Sequence, residues 1–224
     1  MKELINSWTD TAESHRAIHE DFCNKTNEVP ELKALRDWVE QNIFGFGERS
    51  FLWMWKLILE TKAQVKFLEV GVFRGQTLAI VKLIKPNAKV FGITPLDSTD
   101  GHWESDYAKD IKIIHDQFNL KHPTIIKGLS TDAEIIKQAT SKYDIVYIDG
   151  GHSLEVVRQD LQNYSPMVKQ GGYLVIDDCC NKYKIPHGMF PGIQSVSQAV
   201  DEWFPNEEFK ELFSVVHIRV FERI

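Results

Sequence analysis

From residue 65 onward the sequence alternates short apolar runs with longer amphipathic ones, and few folds accommodate that order. Residues 65–70, 90–93, 124–126, 145–148 and 173–176 are each too short for a helix and read as buried strands. Between and after them, 76–84, 107–118, 131–139, 154–164 and 195–203 read as helices. Thr131 and Glu134 have the spacing of a capping box for the third of these. Gly171-Gly172 reads as a turn ahead of the fifth strand, and 214–221 alternates like one last strand. Such an order implies an α/β fold, a mainly parallel sheet with helices on both faces. In these sheets ligands bind beyond the carboxyl ends of the strands, where strand order reverses.

The first 48 residues read as helical. Val29-Pro30-Glu31 suits the start of a helix, and Leu32, Leu35, Trp38 and Val39 follow at helical spacing. Residues 42–48, with Gly45 and Gly47, break the pattern before a further amphipathic helix over 49–60. The expected division is a helical extension, 1–48, and a ligand-binding domain, 49–224; the extension would serve either as a homo-oligomer contact or as a lid. With 224 residues, 43% of them apolar, the chain can bury a core without disulfides or structural metal. Cys23, Cys179 and Cys180 are odd in number, and the adjacent pair would bridge only with strain. A net charge of −6 argues against a nucleic-acid coat or a polybasic membrane binder. The apolar run 51–59 is broken by Lys56 and too short to span a bilayer, and the start lacks a signal-peptide pattern. A cytoplasmic protein without nucleic-acid or membrane partners is the expectation.

The turn after the first strand runs Glu69-Val70-Gly71-Val72-Phe73-Arg74-Gly75-Gln76-Thr77. Its glycines let a ligand approach the backbone, so a side chain at Gly71 is expected to occupy ligand space. The helix that follows offers free N–H groups to a carboxylate or phosphate. The dinucleotide fingerprint Gly-x-Gly-x-x-Gly is absent, and no Gly-Lys-Ser/Thr follows as in a P-loop. What remains resembles motif I of class I S-adenosylmethionine-dependent methyltransferases. The resemblance implies a Rossmann-like, seven-stranded, mostly parallel sheet, with Glu69, Gly71, Gly75 and Thr77 lining the methionine end of the cofactor. The family usually ends its second strand with an acid on the ribose; here Thr94 stands there. Either Asp97 reaches the ribose, or Asp97 is a turn residue beside Pro95 and Thr94 or water holds the sugar. Lys127-Gly128-Leu129-Ser130 resembles the step beside the adenine, and Ser130 either lines that step or simply starts a helix.

The stretch Ile148-Asp149-Gly150-Gly151-His152-Ser153-Leu154-Glu155 resembles a signature shared by macrolide-sugar O-methyltransferases and the cephalosporin hydroxylase group. Gly172 to Asp178 resembles that branch's next strand, ending in two acids; in the branch Asp149 also touches the cofactor. Independently of the family, Asp149 and Asp177 each end an apolar strand, and one helix separates them. A right-handed crossover between neighbouring strands would bring them to one edge, about 4.8 Å apart. Three crowded carboxylates, Asp149, Asp177 and Asp178, repel unless one is protonated or a cation sits among them. Oxygen donors select a hard ion, Mg²⁺ first, with Mn²⁺ or Ca²⁺ as alternatives. His152 stands at a helix start three residues past Asp149, and histidine as a residue type suits a general base at neutral pH.

The implied reaction is metal-assisted methylation of a hydroxyl on a small molecule, a sugar by resemblance, through attack on the sulfonium methyl. The competing readings are a hydroxylase-like relative and a non-catalytic S-adenosylmethionine-binding subunit. Trp53, Trp55, Trp103, Phe190 and Trp203 are candidates for an acceptor pocket, against the simpler reading that they are core. Residues 182–192 follow the fifth strand, where a lid or a structural Pro-Gly-Ile turn would lie.

Overall fold

The computed structural model describes residues 1–42, 44–96 and 106–224. The helices are α1 (Lys2–Ser7), α2 (Ala12–Glu28), α3 (Pro30–Asn42), α4 (Arg49–Glu60), α5 (Gln76–Ile84), α6 (Tyr107–Gln117), α7 (Ala133–Ala139), α8 (Leu154–Tyr164) and α9 (Gln194–Trp203). The strands are β1 (Lys66–Val70), β2 (Lys89–Thr94), β3 (Thr124–Lys127), β4 (Tyr143–Ile148), β5 (Val168–Ile176), β6 (Phe209–Val215) and β7 (Ile218–Arg223). They form one sheet in the order β3-β2-β1-β4-β5-β7-β6. The first five are parallel, and β7 and β6 close the edge antiparallel. This is the Rossmann-like, seven-stranded arrangement. Among the described residues no helix is long and apolar enough to cross a membrane.

Because successive strand residues face opposite sides, the central strands feed two separate cores. Phe67, Ile145, Tyr147, Tyr173 and Val175 belong to a cluster with α2 to α6. Leu68, Val70, Val146, Ile148, Leu174 and Ile176 belong to another with α7, α8 and α9. Phe22, Leu32, Leu35, Val39 and Phe44 are buried in the first cluster beside Trp55 and Phe67, so residues on both sides of position 48 share one core. Arg49 ties the two sides further, donating to Asn27, Asp37 and Glu40.

Three local expectations change. The tail is a hairpin rather than one strand: β6 and β7 flank Val216 and His217, with Val216 in the left-handed region at φ 53°. Gly171-Gly172 is not a turn before β5, which already starts at Val168. The glycines lie inside the strand, where the pairing jumps from Tyr143↔Val168 to Ile145↔Tyr173 and Gly171 takes φ 69°. The capping box at Thr131 does not form, because α7 starts one residue later than its geometry requires. Asp132 is the N-cap and makes no side-chain capping bond.

The segment over 182–192 is pinned at its ends: Cys180 N–H donates to Pro191 O, and Ile193 N–H to Asp178 O. Cys179 and Cys180 are free and buried, and burial raises the Cys180 thiol pKa well above its ordinary value.

Candidate active site

Strand order reverses at β1, which pairs with β2 on one side and β4 on the other. Beyond the carboxyl ends of these strands lies a cavity of about 610 Å³. Its wall includes Glu69, Gly71, Gly75 and Thr77 from the first turn, Thr94 and Ser130 from the next two strands, and Asp149, His152, Asp177 and Asp178 from β4 and β5. Asp97 and Trp103 lie outside the described residues.

The turn after β1 is held by its own backbone. Gly71 N–H and Val72 N–H both donate to Ile93 O at 3.0 Å. Gly75 is the left-handed N-cap of α5 at φ 82°. The expectation for Gly71 needs correction. A Cβ there would stand 2.0 Å from Asp149 O and 2.4 Å from Gly150 Cα, and Gly71 has φ 98°. The backbone leaving β4, not a ligand, fills that space. Gly71→Val should therefore cost at least about 2 kcal/mol of stability through left-handed strain and the backbone clash. A thermal melt checks this, and a variant as stable as the parent would reject it.

Period-two alternation places Glu69, Tyr147, Asp149 and Asp177 on one side of the sheet, with Glu69 registered against Tyr147 and Ile148 against Ile176. Tyr147, absent from the expected site residues, is 3% exposed and its hydroxyl reaches Asp177 Oδ2 and Asp149 Oδ2, the latter at 3.2 Å. Trp55 meets its ring edge-on at 5.1 Å. Glu69 is buried, and its Oε2 has no hydrogen-bond partner. Burial, and then the Asp177 charge, pushes the Glu69 carboxyl well above the usual carboxylate range.

Asp178 would face the opposite side of the sheet, but φ 55° turns it back. Its Oδ2 lies 3.6 Å from His152 Nε2 and its Oδ1 3.8 Å from His217 Nε2. Asp177 Oδ1 is 3.3 Å from His217 Nε2 and accepts the Asp178 N–H at 2.9 Å. Burial raises Asp149 well above its ordinary value, with Asp177, Asp178 and Glu69 adding repulsion. Burial and Asp177 push Asp178 up to about 7, with His217 opposing. Crowded acids of this kind suit a cation. Among the described residues, two sets of donor atoms converge within 4.8 Å: Asp149, His152 and Asp178, and Asp177, Asp178 and His217. Asp178 belongs to both.

Of the expected acceptor aromatics, Trp55 and Phe190 line the cavity. Trp203 packs instead on Phe204, Phe209 and Phe221, and Trp53 lies near Lys25 and Lys56. Residues 44–47 form part of the wall, which their glycines had marked only as a boundary. A Cβ on Gly45 would meet Gln76 Oε1 at 2.0 Å, so this segment passes close against the start of α5.

Behind the wall, Asp160 of α8 is fully buried and neither carboxylate oxygen has a hydrogen-bond partner. Burial pushes its pKa up to about 7 from 3.8, with Ser130 opposing in part. A raised carboxyl pKa means the folded state holds a proton that the unfolded state releases. Stability should then fall as pH rises from about 4 to about 7, by roughly 4 kcal/mol at most. Asp160→Asn should flatten this decline in pH-dependent denaturant melts; an unchanged slope would assign it to other groups.

A mostly parallel sheet with its last hairpin reversed, and a ligand cavity at the reversal of strand order, defines the fold of class I methyltransferases. The family profile described as a methyltransferase domain matches residues 68–179, half of the chain. The chain belongs to that family. It is 28% identical over 146 residues to an uncharacterized protein of Acanthamoeba polyphaga mimivirus, covering 63% of this chain and 64% of the viral one. It thus spans a little under two thirds of that relative's length. It is 20% identical over 178 residues to rhamnosyl O-methyltransferase of Mycobacterium tuberculosis H37Rv, covering 76% and 70%. A putative caffeoyl-CoA O-methyltransferase from Staphylococcus aureus superposes with TM-score 0.65 at 16% identity, over 86% of this chain and 91% of that one. The MycE methyltransferase of the mycinamycin biosynthetic pathway, in complex with Mg, SAH and mycinamycin VI, superposes with TM-score 0.58 at 19% identity, over 87% and 54%. At these identities the solved structures establish the fold.

Proposed function

We propose that this protein transfers a methyl group from S-adenosylmethionine to a hydroxyl oxygen of a sugar or a sugar-bearing small molecule, in a reaction that depends on a divalent ion such as Mg²⁺ or Mn²⁺. The observation that carries the reading is the meeting of Asp149, His152 and Asp178 at the edge of a cavity that the Gly71–Gly75 turn also lines. The names of relatives point the same way: a rhamnosyl O-methyltransferase, and MycE with Mg and SAH. SAH is what S-adenosylmethionine becomes once its methyl has gone.

Bound S-adenosylmethionine supplies an electrophilic methyl group, and a bound divalent ion supplies positive charge that makes a nearby hydroxyl more acidic. The chain's part is to bind, orient and move one proton. The Glu69 carboxyl, buried with one oxygen unpartnered, offers an acceptor to the cofactor's ammonium. Gly75 and Thr77 at the start of α5 present helix N–H groups to its carboxylate. Thr94 and Ser130 line the ribose and adenine end. Asp178, with Asp177 and Asp149 on either side of it, would hold the ion, whose charge would offset the repulsion that raises Asp149 and Asp178. His152 Nε2 takes the hydroxyl proton, and Asp178, 3.6 Å away, stabilises the imidazolium that results. Residues that hold both partners in this way would bring the oxygen and the methyl group together as neighbours rather than as free solutes.

The test is a panel of nucleotide-sugars and glycosides assayed for SAH release with and without Mg²⁺, beside calorimetry with S-adenosylmethionine and NAD. A hydroxyl acceptor methylated only with the ion supports the reading. Affinity for NAD but not for S-adenosylmethionine, or full activity in excess chelator, defeats it.

A further inference from the structure

His217 stands 39 residues beyond Asp178 in the sequence, in a segment expected to be plain strand, yet the fold delivers it to the acid cluster. The reversed hairpin does this. Val216 takes the left-handed conformation, β7 pairs with β5 so that Ile176 opposes Arg219, and Cys179 N–H donates to His217 O at 2.9 Å. The ring is 7% exposed and fixed edge-to-face by Phe51 at 4.9 Å and Phe190 at 5.2 Å. Its Nδ1 has no polar partner. Its Nε2 lies 3.3 Å from Asp177 Oδ1 and 3.8 Å from Asp178 Oδ1. Two donors at right angles on an ion with bonds of about 2.1 Å stand about 3 Å apart, so these atoms are already close to the spacing of neighbouring ligands.

We propose that His217 is a nitrogen ligand of the divalent ion, so that the site is a mixed nitrogen–oxygen site which prefers a transition ion such as Mn²⁺ to Mg²⁺. This rests on the reading above that Asp177 and Asp178 hold an ion. Imidazole adds little to the binding of Mg²⁺, a hard ion that keeps to oxygen, and more to that of Mn²⁺ and the later divalent metals. On ligation the ring proton moves to Nδ1. The rings of Phe51 and Phe190 pack on the imidazole, and Nε2 is the ring nitrogen that faces the two acids. The two histidines then divide their work across one carboxylate. Asp178 Oδ1 lies toward His217, the ligand, and Oδ2 toward His152, the base.

The experiment uses the full chain with Mn²⁺ alone. Pulsed electron paramagnetic resonance of the bound ion should show coupling to a histidine nitrogen, shifted by ¹⁵N-histidine labelling, retained in His152→Ala and lost in His217→Phe. Calorimetry should show Mn²⁺ bound at least about 10-fold more tightly than Mg²⁺ by the parent. In His217→Phe that preference should fall at least about threefold, with S-adenosylmethionine affinity kept. Should His217→Phe fail to fold, the labelled parent and His152→Ala still decide. A bound ion without nitrogen coupling overturns the inference and leaves methyl transfer standing. Coupling that vanishes in His152→Ala overturns it too, and with it the assignment of His152 as base. No bound ion at all overturns both this inference and the ion dependence proposed above, whereas S-adenosylmethionine binding in the same preparation tests the cofactor separately.

Discussion

The His152→Ala variant should bind cofactor and ion almost as the parent does, yet turn over at least about 100-fold more slowly at neutral pH. A positioned base typically contributes about 10²–10⁴-fold, or roughly 3–5 kcal/mol of barrier. The side chain is half exposed at the cavity wall and directly precedes Ser153, the N-cap of α8, whose hydroxyl accepts the Val156 N–H. Ser195 Oγ donates to His152 O at 2.6 Å, so the backbone of this corner is fixed whatever the side chain. Removing the imidazole should therefore leave the fold intact. In the parent the rate should fall toward acid pH as the base becomes protonated, and that limb should vanish in the variant. Near-normal turnover by His152→Ala would mean that the ion alone activates the hydroxyl, leaving His152 to orient the acceptor.

Asp178→Ala should lose ion-dependent turnover by at least about 100-fold while keeping most of the cofactor affinity, and Asp177→Ala should do likewise. The larger loss is expected at Asp178, because its two oxygens face the two histidines while those of Asp177 already accept from Tyr147 and the Asp178 N–H. Stability separates this from a merely structural effect. Burial and repulsion push the Asp178 carboxyl up to about 7, so its charge works against the ion-free fold at neutral pH. Asp178→Asn should then melt no lower than the parent in chelator, yet gain less from added Mg²⁺ or Mn²⁺. Turnover by either alanine variant that matches the parent in excess chelator would remove the ion from the mechanism.

Much of the architecture was legible because it is written at short range. Helical spacing marks 76–84 and 154–164, and an apolar run too short for a helix marks 145–148, whatever the rest of the chain does. The acids ending two strands, and the Asp149-x-x-His152 step, could be placed at one sheet edge because parallel βαβ units are right-handed. The expectation that neighbouring strands carry Asp149 and Asp177 agrees with the pairing of Ile148 and Ile176. The tail resisted such reading. Leu212 to Phe221 is buried throughout, and only a left-handed Val216 reveals that two strands meet there.

Periodicity and motif spacing by themselves determined the kinds of elements, their order, and the glycine turn and acidic strand ends that a methyltransferase cavity needs. Only the tertiary structure decided what those residues meet. Gly71 is required by the carbonyl of Asp149, Tyr147 by its registered place across from Glu69, and the Gly45–Gly47 segment by the close pass against α5. His217 joins Asp177 and Asp178 because a reversed edge hairpin lays β7 beside β5. The physical reason is one of range. Side-chain direction along a strand or helix follows from the neighbours in sequence. A contact between residues tens of positions apart depends on strand order and on a few left-handed backbone turns, which carry no periodic signature.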